Sequence, residues 1–163
     1  VDLKTGGRSQ IILVAHVTVA AANRMTINGK AYENPKITAS KDSKDYIFIS
    51  FEEANPAHEN YPATFSVAID HFKGKGTYTI QPDEKCRMSG KEAGEKGKGF
   101  DYKYIAPGEI MPTYATGSIT ITEYNGTLGT IVGTVSASLY HQPGRDKPVQ
   151  TGGFGGEFRT IVN

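Results

Sequence analysis

The chain has 163 residues, with 18 basic against 17 acidic side chains, one cysteine and no tryptophan. That length suits one hydrophobic core and is short for two domains. A net charge of +1 supplies no global field for nucleic acid or an acidic membrane surface. Cys86 by itself can form neither an intramolecular disulfide nor a cysteine zinc cluster. The 19 glycines and 9 tyrosines are those of a β-rich globular chain rather than a disordered one, and no apolar run is long enough for a membrane-spanning helix.

In chain order, Val1–Gln10 is polar around Gly6-Gly7, a loose lead-in. Ile11–Ala20 reads as a strand, with Ile11, Leu13, Ala15, Val17 and Val19 on one face. Ile12 and Val14 make the start of the other face apolar too, which suits a covered strand, and the β-branched density disfavours a helix. The apolar run Ile11–Ala22 has the length of a signal-peptide core but is interrupted by His16 and Thr18, and a mature exported domain and a cytoplasmic protein both fit it. In Met25–Tyr32, Asn28-Gly29 takes positive φ readily and predicts a tight hairpin. Lys36–Ser40 and Tyr46–Glu53 predict paired strands about the charged turn Lys41–Asp45. Ile47, Ile49 and Phe51 face the core there, and Phe48 faces away. Ala54–Pro62 predicts a loop. Ala63–Phe72 predicts a strand with Phe65, Val67, Ile69 and His71 on one face, and Lys73–Gly76 turns the chain back through Thr77–Ile80.

Pro82–Gly99 has no hydrophobic period and predicts a long mobile loop that exposes Cys86. Phe100–Ile105 alternates aromatic and charged residues, as an edge strand or the anchor of that loop. Gly117–Tyr140 carries the clearest pattern in the chain. Ile119, Ile121, Ile131, Val135, Ala137 and Leu139 fall on one face, and Ser118, Thr120, Thr122, Thr130, Thr134, Ser136 and Ser138 on the other. Period two on both sides of Asn125-Gly126 predicts a hairpin reversing at that dipeptide. A loop Gln142–Gly153 and a last strand Phe154–Val162 follow, with Phe158 and Ile161 toward the core. No segment has a helical period. The pattern predicts one all-β domain over 1–163, an antiparallel sandwich of about 8–10 strands, with a lipocalin-like barrel as the alternative.

Four motifs occur in order: INGK (Ile27–Lys30), GKGTYTI (Gly74–Ile80), GSITITEYNG followed by GTVSASL, and GGFGGEFR near the C-terminus. In these the chain resembles small bacterial secreted or lipoprotein-type β-domains of unassigned function, from about Met25 onward. The resemblance implies an exported, envelope-associated module and brings no catalytic residues with it. It also implies a secreted, periplasmic or cell-envelope location, against the cytoplasmic alternative.

Chemistry-bearing residues do not converge in the sequence. His16, His58, His71 and His141 lie on different elements without metal-ligand spacing. Neighbouring strand residues such as Asp70 and His71 point to opposite faces. His58 with Glu52, Glu53 and Glu59 reads as a solvated acidic loop. There is no Gly-x-Ser-x-Gly elbow. The glycines of Gly94–Gly99 lack the strand and helix of a phosphate cradle, and the Asp42–Asp45 turn lacks calcium-loop spacing. No cofactor is implied.

Two candidate surfaces remain. One is the basic stretch Lys85, Arg87, Lys91, Lys96 and Lys98, backed by Phe100, Tyr102 and Tyr104, which could dock a protein partner. The other is the Thr/Ser face of the central hairpin. Thr120 and Thr134 lie within it and Tyr124 or Tyr140 at its margin, a combination able to hydrogen-bond and stack on carbohydrate, although threonine is favoured on any pleated surface. The sequence therefore points to a non-enzymatic extracytoplasmic binding or adhesion module for glycan or protein. The alternatives are a small inhibitor or immunity-type protein acting through residues 82–104 and a carrier of a small apolar ligand. Nucleic acid and a transmembrane segment are not expected, and oligomeric state is left open.

Overall fold

In a computed structural model, residues 23–42, 45–54, 62–81, 85–92, 101–102, 113–141 and 147–163 are described. They contain no helix and form eleven strands: β1 (Arg24–Ile27), β2 (Lys30–Glu33), β3 (Lys36–Lys41), β4 (Ile47–Glu52), β5 (Thr64–Ile69), β6 (Gly76–Ile80), β7 (Cys86–Lys91), β8 (Asp101–Tyr102), β9 (Thr113–Asn125), β10 (Thr130–His141) and β11 (Val149–Ile161). They build two sheets, ordered β2-β1-β11-β10-β9-β6 and β3-β4-β5-β7-β8. Every strand pair within the sheets is antiparallel. The expected sandwich is thus what forms, and the sheets do not close into a barrel. The strand expected at Ile11–Ala20 lies outside the described residues.

The core follows the alternation. Ile47, Ile49 and Phe51 of β4, Phe65, Val67 and Ile69 of β5, Ile119 and Ile121 of β9, and Ile131, Val135 and Leu139 of β10 are buried between the sheets. At its centre Phe51 packs edge-on against Phe154 and Phe158, with ring centroids 5.4 and 5.6 Å away, and Phe65 stacks on Phe154 at 4.6 Å. Rings this large fit because a glycine faces each of three of them. Phe65 lies cross-strand from Gly90, and Phe158 from Gly133. A Cβ on Gly90 would overlap the Phe65 ring, and one on Gly133 would come within 2.8 Å of the Phe158 ring. A Cβ on Gly156 would lie 2.9 Å from Phe51 across the sandwich and 2.9 Å from Val135 on the neighbouring strand.

Several local expectations are corrected. Residues 86–91, expected as part of a mobile loop, are strand β7 between β5 and β8. Cys86 and Met88 are its inward pair and are buried, so the expected exposed thiol is a core residue. Two apolar side chains among charges and glycines were too few to register as a period. Thr77–Ile80 does not pair back onto the preceding strand: β6 joins β9 in the other sheet. β5 ends at Ile69, and His71 is an exposed turn residue at φ 56°. Phe72 is buried and stacks on Tyr78 at 5.8 Å. β11 begins at Val149, inside the expected loop, and Ile161 is 62% exposed rather than core.

The two Asn-Gly reversals differ. Asn28 and Gly29 take φ of 51° and 80° and make the expected tight turn. At the central hairpin the reversal is the four-residue stretch Gly126–Gly129. Asn125 Oδ1 accepts from the N–H groups of Thr127 (3.0 Å) and Leu128 (2.9 Å), and Gly129, at φ 66°, is the left-handed residue. The asparagine acts there through its side chain rather than through its own φ.

Replacing Gly156 by alanine forces Phe51 or Val135 to shift, an overpacking cost of about 1–3 kcal/mol. Chemical denaturation of Gly156→Ala, Phe51→Leu and the double variant is expected to show coupling, with the double variant less destabilised than the sum. Strict additivity would contradict the packing described.

Candidate functional site

The outward face of the six-stranded sheet is set by the cross-strand register. One row across the strands reads Thr77, Thr120, Thr134, Glu157, Arg24, Glu33 from β6 to β2. The next reads Thr79, Ser118, Ser136, Gly155, Thr26, Ala31, and a third reads Thr116, Ser138, Gly153. Beyond it lie Tyr114 and Tyr140, directly opposite one another, with Gln150 beside Tyr140 on β11. The two tyrosine rings stack with centroids 5.1 Å apart and planes 10° from parallel. Burial, and secondarily Tyr140, raises the Tyr114 hydroxyl above its ordinary pKa.

Local chemistry explains part of this surface. Thr77 and Thr120 share a hydroxyl–hydroxyl hydrogen bond of 3.0 Å. Thr26 Oγ1 donates to the Gly155 carbonyl at 3.3 Å, and a Cβ on residue 155 would come within 2.6 Å of that hydroxyl. Glycine is therefore needed at 155 to let β1 and β11 lie together with Thr26 upright. The consequence is a trough of about 330 Å³ whose floor is Gly155 and whose walls include Arg24, Thr26, Thr134 and Glu157. Arg24 stands between Glu157 and Glu33 in register, so the trough offers a donor-only cation beside acceptor-only carboxylates. Tyr140 is six residues from Thr134 on β10, about 20 Å along the strand. Hydroxyls, a charged pair and an aromatic pair thus lie on one extended face.

No protein-family model matches the chain, and no curated protein or solved structure is significantly similar to it. The geometry carries the reading.

The sequence candidates separate on the structure. Thr120 and Thr134 are neighbours on the face just described. Tyr124 is not at its margin: it turns inward, edge-on to Phe72 at 4.9 Å. Tyr140 is at the margin, with Tyr114 beside it. Tyr114 was missed because Pro112 and the breaks before it hid the start of β9. Of the basic stretch, Arg87 and Lys91 share the outer face of the five-stranded sheet as residues of β7. Arg87 Nη1 donates to Asp70 Oδ2 at 3.2 Å, and Lys91 lies in register with Asp101. Lys85 is exposed just before β7. Tyr102 pairs in register with Gly90, while Lys96, Lys98, Phe100 and Tyr104 lie outside the described residues. Arg87 and Lys91 thus follow a strand rather than gathering on a loop.

Among the described residues no group of three or more His, Cys, Asp or Glu side chains is placed to hold a metal ion. Glu53, the one buried acid among the described residues, accepts from the Ala63 N–H at 3.2 Å. Burial pushes the Cys86 thiol from 9.0 up to about 12, a shift that the nearby Arg87 only partly offsets. A thiol in that state is a packing group and a poor nucleophile.

The sign of that shift makes a prediction. The folded state disfavours the thiolate, so the contribution of Cys86 to stability is complete below about pH 9 and is lost as pH rises toward about 12. Iodoacetamide at pH 8 is expected to modify native Cys86 far more slowly than the denatured chain. Equal rates would contradict its burial.

Proposed function

We propose that the outward face of the six-stranded sheet binds an extended neutral carbohydrate, and that the protein is a non-enzymatic glycan-binding module acting outside the cytoplasm. The observation that carries this reading is the stacked Tyr114–Tyr140 pair at one end of a Thr/Ser surface that leads into the Gly155 trough. A sugar ring presents C–H faces that pack on aromatic rings and hydroxyls that both donate and accept. Tyr114 and Tyr140 suit the first. Thr134, Ser136, Ser138, Ser118 and Thr116 suit the second, since each hydroxyl likewise donates and accepts. Arg24 beside Glu157 offers one donor and one acceptor to adjacent sugar hydroxyls. A uronate would meet Glu157 and an ammonium sugar Arg24, which favours a neutral chain. The length of the face suits an oligosaccharide rather than a single sugar, and the trough is of ligand-site size.

The reading needs no catalytic group, and none is assigned. The space between the sheets is filled by Phe51, Phe65, Phe154 and Phe158, so an apolar ligand carrier finds no support. The inhibitor reading loses the flexible basic loop that motivated it at Cys86–Lys91.

Affinity electrophoresis against immobilised neutral, acidic and amino polysaccharides tests the proposal. Retardation is expected in a neutral polymer, and Tyr140→Ala is expected to weaken it about tenfold, the loss of one aromatic contact of roughly 1.4 kcal/mol. A wild-type protein that no polysaccharide retards, or full retention by Tyr140→Ala, would sink the reading.

A further inference from the structure

Glycine inside a strand weakens it, so each one calls for a reason: a tight contact, a positive φ, or a ligand that comes close to the main chain. The other described strand glycines have a reason within the fold, and Gly153 does not. Gly76 is required by its φ of 152°. At Gly90, Gly117, Gly133, Gly152, Gly155 and Gly156 a Cβ would come within 2.9 Å of another atom. Gly153 has no positive φ, and the nearest atom to a Cβ there is the Ala137 carbonyl oxygen at 3.5 Å, an ordinary contact. The irregularity in β11 does not explain it either. The extra residue falls at Thr151, opposite Leu139 and Tyr140, and Gly153 is back in regular register with Ser138.

Gly153 faces outward between the two parts of the candidate site. Two residues on, Gly155 floors the trough, and on β10 Tyr140 is the next outward residue past Ser138. Ser138 and Ser136 of β10 lie along one side. Along the other, Thr26 is in register with Gly155. Asn28 Oδ1 accepts from the Gly153 N–H at 3.0 Å, and the Asn28 N–H donates to the Gly153 carbonyl at 2.8 Å. The main-chain groups of Gly153 are thus paired, and what it offers is bare space above its Cα. β10 and β1 flank β11 about 10 Å apart. The result is a straight lane along β11, floored by Gly153 and Gly155 and ending at Gln150 on one side and at Glu157 and Arg24 on the other.

A lane of this form selects by shape. A sugar ring lying flat on the glycines places its C–H face on the floor and sends equatorial hydroxyls sideways, to Ser136 and Ser138 in one direction and Thr26 in the other. Units joined through equatorial bonds form a straight chain that continues along the strand. A coiled chain meets the lane at one ring only, and a branched chain collides with its walls.

Resting on the carbohydrate reading above, we propose that Gly153 is the specificity-determining residue of this surface. It holds open the path from Tyr140 to the trough, and so selects a straight, unbranched, neutral polysaccharide whose units are joined through equatorial bonds.

Affinity electrophoresis in three neutral polymers tests this: linear glucomannan, xyloglucan (a straight backbone carrying side branches) and soluble starch, which coils. Wild-type retardation is expected to be strongest in glucomannan, and Gly153→Val to weaken it about tenfold. Gly153→Ala is expected to weaken it less, since a methyl group fills only part of the lane. Both variants are expected to melt no lower than wild type, because each replaces a strand glycine with a residue that suits a strand better. Loss of stability in both would assign the glycine to the fold and overturn the proposal. Glucomannan retention that Gly153→Val leaves unchanged while Tyr140→Ala reduces it, or equal retention in xyloglucan or starch, would overturn it and leave the carbohydrate reading standing. No wild-type retardation in glucomannan would overturn it too, and the carbohydrate reading with it if every other polysaccharide also fails.

Discussion

The structure depends on aromatic rings packed into positions where the chain has no side chain. Phe65 on Gly90, Phe158 on Gly133 and Phe51 against Gly156 place large apolar area between the sheets while keeping them close. Burying each ring of this size stabilises the fold by about 1.5–3 kcal/mol. The cost is borne by the glycines, which weaken strands when unsupported. Here an opposing ring covers each one, so the defect in one strand becomes the space for the side chain of another.

The same arrangement positions the outward surface. β11 alternates Phe154, Gly156 and Phe158 inward with Gly153, Gly155 and Glu157 outward. A strand that is anchored on its inner face by two phenylalanines can tolerate glycine on its outer face, where Thr26 leans over Gly155. The trough is therefore a by-product of how β1 and β11 pack, and it lies where the Thr/Ser rows of β9 and β10 end. Fold and candidate site are linked through one glycine-rich strand.

Much of this was legible in the sequence wherever apolar residues alternate without interruption. Ile119, Ile121, Ile131, Val135 and Leu139 specify their strands and their inward face, and Ser118, Thr120, Thr134 and Ser136 appear opposite them. Legibility failed where glycine replaces an inward side chain. Cys86-Arg87-Met88-Ser89-Gly90 is a strand with two apolar markers and a blank where Phe65 fits, and GGFGG hides the first half of β11 in the same way. Pairing partners were also hidden: nothing local says that β6 leaves β5 for β9, because that choice is made by Ile80 and Tyr78 packing into the far sheet. Tyr124 was misassigned since a bulge between Val132 and Gly133 shifts the register there and sends the ring toward Phe72. Tyr114 became visible only once its register with Tyr140 was known.

The central claim is that the hydroxyl and tyrosine face of the six-stranded sheet is a binding surface. Nitrogen-15 chemical-shift mapping during titration with a neutral oligosaccharide locates the contact directly. The account predicts shifts concentrated at Tyr114, Tyr140, Ser136, Thr134, Gly155 and Thr26, with Phe48, Ala68 and Arg87 on the opposite sheet unmoved. Shifts confined to the five-stranded sheet, or none at saturating sugar, would contradict it.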